Sequence, residues 1–177
     1  MAGEERRDCF VIMPYGTRDY VELVRADERP TTEVRTVKAE IRYATVDFNK
    51  VYDDIIEKAV TDTGYGLKCT RSDKVKESGM IHREMIRHII DADVVIVDIS
   101  LNNPNVFYEL GVRHSLRRST TVVIRHAGLP MGFPFNISGM RAIEYDDRTP
   151  DAVAASVERL RDAIKASYEG KDVDSLV

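Results

Sequence analysis

The sequence predicts an open α/β fold, a five-stranded parallel sheet with helices on both faces. Three observations carry that prediction. Short apolar runs such as Cys9–Met13 and Val94–Val97 alternate with longer stretches of helical spacing, the pattern of strand and crossover helix. The run from Asp93 to Asp98 is apolar without alternation, as in a strand covered on both sides. It leads into Asn103-Pro104, a helix start in which Asn103 can cap free N–H groups and Pro104 has none to satisfy.

The elements follow in order. Cys9–Met13 reads as the first strand, ended by the turn Pro14-Tyr15-Gly16. Residues 17–46 are charged and irregular, with a weak alternation at Val37, Ala39, Ile41 and Tyr43 that fits an extra strand or a hairpin. A connection of that size reads either as a lid or as a plain surface insertion. From Asp47, the residues Phe48, Val51, Tyr52, Ile55, Ile56, Ala59 and Val60 form one helical stripe, closed by Gly64. Tyr65–Thr70 is the second strand, Gly79–Ala92 the second helix and Asp93–Asp98 the third strand. Ser119–Ile124 is the fourth strand, and a Gly- and Pro-rich loop from Gly128 to Pro134 leads to a fifth at Ala142–Tyr145. A last amphipathic helix carries Val153, Val157, Leu160 and Ile164. Five strands in one compact unit suggest a flavodoxin-like three-layer sandwich in the order 2-1-3-4-5. The expected organisation is a single domain over residues 1–170 with the insertion at 17–46, then a frayed tail at 171–177.

The composition excludes several classes of function. A chain of 177 residues, 43% hydrophobic, can bury one good core. Its net charge of −4, with signs evenly mixed, offers no basic stripe for a phosphate backbone, which argues against duplex nucleic acid and leaves a single nucleotide open. With aromatic residues at 7%, a base-stacking platform for single strands is not expected. No apolar run approaches the roughly 20 residues of a membrane helix, and the opening Met1–Arg7 is not followed by a signal-type core, so the chain reads as cytoplasmic. Cys9 falls near the beginning of one strand and Cys69 near the end of another, which makes a bridge awkward and favours two reduced thiols.

In an open parallel sheet the ligand crevice lies at the carboxyl ends of the strands, where the winding direction reverses, here between strands one and three. The loops meeting there are Pro14-Tyr15-Gly16 and Asp98 to Asn105. Glu109 lies on the helix just behind, about one and a half turns in, among Phe107, Tyr108, Leu110, Val112 and Leu116. These apolar neighbours leave no wide polar face for a carboxylate. Either Arg113, four residues on, pairs with Glu109, or the acid sits in a cleft and does chemistry. A carboxylate in apolar surroundings suits acid, base or nucleophilic roles, and cleavage of a glycosidic bond is one task that needs it. Asp98 can bind ribose hydroxyls or pass a proton to a leaving base; Asn103 and Asn105 offer amides, and Tyr15 can stack on a base. The plainer alternative makes Asp98 a turn acid, Asn103 a cap, Tyr15 a core edge and Glu109 the partner of Arg113. Arg71 and Asp73 reach the same rim, as a phosphate contact or a solvent ion pair. The four histidines (His82, His88, His114 and His126) and two cysteines lack zinc-type spacing, and no metal or cofactor is expected. His114 shares a stripe with Phe107 and Leu110 and reads as buried or hydrogen-bonded.

Four blocks carry a family resemblance: Phe10–Gly16, Asp47–Tyr52, Ala92–Asp98 and, with nine consecutive positions in agreement, Asn103-Pro104-Asn105-Val106-Phe107-Tyr108-Glu109-Leu110-Gly111. Together they resemble the nucleoside 2-deoxyribosyltransferase-like proteins, which are similar in fold to Toll/interleukin-receptor (TIR) domains. The resemblance covers most of the chain outside 17–46. It implies a five-stranded domain that binds a nucleoside, nucleotide or NAD, with Glu109 as the catalytic carboxylate. In the transferases this acid forms a covalent sugar ester; in TIR enzymes its equivalent supports removal of nicotinamide from NAD. It also implies that Asp98 places or protonates the substrate, that Pro14, Tyr15 and Gly16 line its ribose side, and that a neighbouring subunit can complete the pocket as a homo-oligomer. The chain departs from the enzymes in its insertion after Gly16 and in Asn-Pro-Asn where they have a Gly/Thr-rich lead. The Asn-Pro-Asn form is mostly that of domains in defence and signalling proteins, which implies the alternative of a non-catalytic nucleotide-binding or assembly module.

Overall fold

The computed structural model describes residues 7–25, 39–74, 81–117, 120–129 and 141–170. Five parallel strands form the central sheet: β1 (Asp8–Ile12), β4 (Lys68–Arg71), β5 (Val94–Asp98), β6 (Thr121–His126) and β7 (Ala142–Tyr145). Their order is β4-β1-β5-β6-β7. With the intervening hairpin set aside this is the expected order 2-1-3-4-5. The reversal of winding falls between β1 and β5, which pair with Ile12 beside Val97.

Successive residues of β1 and β5 feed opposite cores, which is why these runs show no polar alternation. Cys9, Val11, Val94 and Ile96 pack with Val51, Tyr52, Leu160 and Ile164 on one face. Phe10, Ile12, Val95 and Val97 pack with Ile89, Val106 and Leu110 on the other. The first face is covered by α1 (Phe48–Lys50), a π-helical segment (Val51–Ile56), α2 (Glu57–Thr61) and α5 (Pro150–Glu169); the second by α3 (Ile81–Asp91) and α4 (Pro104–Leu116). The first three of these elements form one continuous helical rod. The seven residues of its predicted stripe are all buried.

Residues 17–46 hold a β-hairpin. β2 (Thr17–Arg25) pairs antiparallel with β3 (Ala39–Asp47), from Thr17 opposite Asp47 to Arg25 opposite Ala39. The two strands form a sheet of their own. At the root, Phe48 donates its N–H to Gly16 O at 3.1 Å, and Asp47 caps the following helix by accepting from Asn49 N. Tyr20 is buried there, its ring edge-on to His126.

Two strands differ from the sequence expectation by two residues or more at an end, and the first and third by a single residue. The second starts at Lys68, not Tyr65, because Gly64 and Gly66 adopt φ of +76° and +67° and break the extended run. The fourth continues past Ile124 to His126. Its polar end is held in place by an Arg125–Glu144 ion pair across β6 and β7 and by the burial of His126. The expected start of the second helix at Gly79, most of the Gly/Pro loop and the tail at 171–177 lie outside the described residues. No helix among the described residues is long and apolar enough to cross a membrane.

Candidate functional site

At the switch point, β5 ends on Asp98 and the chain turns through Ser100 and Asn102, the latter at φ 46°. Asn103 caps α4 by accepting from Asn105 N, with Pro104 in the first turn, as the sequence predicts. The Asn103 side-chain oxygen is therefore taken, while Asn105 is exposed. Beside them, Pro14 is buried, Tyr15 is 57% exposed and Gly16 makes the turn at φ +70°.

Asp98 is completely buried and both its oxygens are engaged. Oδ1 accepts from the Ser100 N–H at 2.9 Å and from the Ser100 hydroxyl. Oδ2 accepts from the Tyr145 hydroxyl at 2.7 Å. Burial pushes the Asp98 carboxyl up, and these donors pull it back. Burial also raises the Tyr145 hydroxyl, which keeps it a donor. Ser100 Oγ in turn accepts the His126 N–H at 2.7 Å, so the ends of β5, β6 and β7 are tied through one acid. Tyr145→Phe removes one donor from a buried carboxylate and is expected to cost about 1–3 kcal/mol. A urea midpoint unchanged from wild type would show that this bond does not hold the strand ends.

The His126 ring is fixed as well. Nδ1 accepts from Gly128 N at 3.1 Å, so in the neutral ring Nε2 carries the proton and donates to Asp147 Oδ1 at 2.9 Å. His126, Asp146 and Asp147 bring ligand-type atoms within 4.8 Å of one another. Arg148 binds Asp146 and holds its carboxyl down at about 2, and the histidine proton is directed at Asp147. The group is a closed hydrogen-bonded set, unlike an open cluster of metal ligands.

Glu109 lies on the buried stripe of α4 with Val106, Leu110, Arg113 and His114. It is 8% exposed, and among the described residues no hydrogen bond or ion pair engages its carboxylate. Burial alone pushes this carboxyl up to about 7. The pairing with Arg113 open to an i, i+4 neighbour is not made. Arg113 Nη1 donates to Ile89 O at 2.8 Å, Ile90 O at 3.3 Å and Ala92 O at 3.0 Å. Its Nη2 donates to Thr120 O, and its Nε to Thr121 Oγ1. The guanidinium satisfies carbonyls at the end of α3 and before β6, and is directed away from the acid one turn before it.

Arg71 ends β4 at its carboxyl edge, beside Val11 of β1, and Asp73 lies in the turn that follows. Arg71 shares the face of Cys69, lies over the Tyr52 ring at 5.1 Å and pairs with Asp73 through two hydrogen bonds. That face is covered by the Tyr52 helix, whereas α4 covers the opposite one. The pair joins a buried Arg71 to a surface Asp73, so one side of it meets solvent. Pro14–Gly16, Asp98, Asn103, Asn105 and α4 thus lie at the carboxyl ends of β1 and β5; Asp98, two residues on from Ile96, shares the sheet face of Arg71, and Glu109 on α4 belongs to the opposite one. The sequence reading missed Ser100, His126, Tyr145 and Tyr20. Of these only Ser100 had a local signal, an Asp-x-Ser turn. Cavities of about 510, 340 and 210 Å³ lie at the amino ends of the strands, around Arg159, Lys68 and Arg117 respectively, and none of the three reaches Glu109.

No protein-family model and no curated protein matches the chain. Among solved structures it is similar to the flavodoxin-like domain of a Synechococcus sp. protein, at 13% identity over 66% of this chain and 88% of that one, with a TM-score of 0.43. It is also similar to a diflavin flavoprotein A3 from Nostoc sp., at 11% identity over 93% of this chain and 96% of that one, with a TM-score of 0.44. The fold class stands on the strand order itself: a flavodoxin-like α/β sandwich carrying a β-hairpin between its first strand and first helix.

Proposed function

We propose that the chain breaks the N-glycosidic bond between ribose and base in a nucleoside, a nucleotide or NAD, with Glu109 as the reacting carboxylate. The observation that carries this reading is the state of Glu109: buried, raised to about 7 by burial alone, and engaged by no cation or donor among the described residues. A poorly solvated carboxylate is a better nucleophile and a stronger stabiliser of positive charge than one in water. As nucleophile it bonds to the sugar C1′ while the bond to the base nitrogen breaks and the base leaves with its electron pair. Water or a second base then takes the sugar. The Tyr15 ring, largely exposed beside the switch point, offers a surface for the base, and Asn105 a side-chain amide. Asp98, with both oxygens committed to Ser100 and Tyr145, serves as a positioning residue that holds the strand ends.

That closed Asp98 network also favours a second reading, since it leaves one uncommitted acid where the sequence suggested two. In that reading the site is a non-catalytic nucleotide-binding or assembly module. Incubation of the purified protein with a panel of nucleosides, nucleotides and NAD, with chromatography for free base, separates the two. Base release supports the enzyme. Thermal stabilisation by a panel member without product supports the module, and neither response rejects both.

A further inference from the structure

The two cysteines are not separated along their strands as their sequence positions suggested. Because β4 begins at Lys68, Cys69 is its second residue and the register partner of Cys9 on β1. Partners in a parallel ladder point to the same face with backbones about 4.8 Å apart, inside the Cα range of about 4.4–6.8 Å that a disulfide spans. Both are free thiols, Cys9 buried and Cys69 partly exposed on the edge strand. Cys69 packs against the core face that holds Cys9 and Tyr52, and the S–H and O–H groups of these two favour its thiolate. The Lys74 ammonium, 4.5 Å from the centre of the Tyr52 ring, adds positive charge beside it. These groups hold the Cys69 thiol below its ordinary value although burial opposes them, and the same contact pushes Cys9 up.

We propose that Cys69 is a modification site for hydroperoxide oxidants, with Cys9 as the resolving thiol that closes a reversible disulfide between β1 and β4. The Cys69 thiolate attacks one oxygen of hydrogen peroxide; the O–O bond breaks and the departing hydroxide is protonated to water. Sulfur is oxidised to the sulfenic acid and the peroxide is reduced. The Cys9 sulfur then attacks the Cys69 sulfur, the S–O bond breaks, and the hydroxide leaves as water with the Cys9 proton. Two thiols and one peroxide become one disulfide and two waters. Disulfide Cβ atoms sit about 3.8 Å apart, roughly 1 Å closer than ladder neighbours. A four-residue strand bonded to the sheet on one side can yield by that amount. The bond so formed is strained and readily reduced.

The test is peroxide treatment of the native chain followed by peptide mass mapping. A linked Cys9–Cys69 peptide pair, loss of both free thiols and recovery with dithiothreitol are the expected results. In Cys9→Ser the reaction is expected to stop at a sulfenic acid on Cys69 that dimedone captures, and in Cys69→Ser the buried Cys9 is expected to stay a thiol. Two surviving thiols in the treated wild type overturn the proposal. So does first labelling at Cys9, or linkage of Cys69 to a second chain. Should Cys9→Ser fail to fold, the wild-type map decides alone.

Discussion

Glu109→Gln is expected to leave a folded protein that no longer releases base, with kcat lower by a factor on the order of 10³ or more, the loss typical of a removed nucleophile. The same substitution is expected to stabilise the protein at alkaline pH, and that combination distinguishes a reacting acid from a structural one. The Glu109 carboxyl is raised from 4.5 to about 7 on folding, so between those values the folded chain binds a proton that the unfolded chain has released. Its effect on stability is neutral below pH 4.5, grows steadily more unfavourable as pH rises from 4.5 to about 7, and is constant above. Gln carries no such penalty. At pH 8 the variant should be more stable by about 2 kcal/mol, a figure discounted from the full linkage value because the side chain keeps some contact with water. At pH 4 the two should coincide. Urea denaturation at both pH values reads the difference, and a variant less stable at pH 8 would mean that a favourable partner holds the carboxylate. In the wild type, activity that needs the ionised acid should rise with pH and level off above about 7.

The second large effect is expected at Arg113, the largest fully buried side chain among the described residues. Arg113→Met keeps much of the apolar stem but leaves the carbonyls of Ile89, Ile90, Ala92 and Thr120 without this donor. Ile90 O keeps the Arg117 Nε donor and Thr120 O the Val95 N–H, so Ile89 O and Ala92 O carry most of the loss, at about 1–3 kcal/mol for each buried carbonyl without a partner. For two such carbonyls we expect a total loss of roughly 2–5 kcal/mol. Arg113→Lys, with fewer donors and no planar fork, should recover only part of it. A loss below about 1 kcal/mol would show that the freed carbonyls find other donors.

The scaffold was legible because its signals are local or strictly periodic. The unbroken apolar runs of β1 and β5 follow from burial on both faces, the stripe from Phe48 to Val60 from helical spacing, and the Asn103-Pro104 start from the chemistry of free N–H groups. The partners of the polar residues were not legible, because they come from distant parts of the chain. Asp98 is held by a hydroxyl 47 residues away. Arg113 reaches carbonyls 21 to 24 residues back, although the helix period pointed to its neighbour Glu109. The same distance problem hid the adjacency of Cys9 and Cys69, which depended on where two glycines delay the edge strand. The hairpin was half visible: its returning strand alternates, while the strand leaving Gly16 carries charges that masked it.

That hairpin departs and returns at one point, where the Phe48 amide meets the Gly16 carbonyl. That contact holds the ends of β1 and α1 together whatever the length of the outer arm, while Tyr20 and Val46 near the root belong to the buried core. Length and chemistry in that arm can therefore drift or be exchanged in evolution with little penalty to the scaffold. The Tyr20 anchor beside His126 marks how much of it the rest of the molecule has come to rely on.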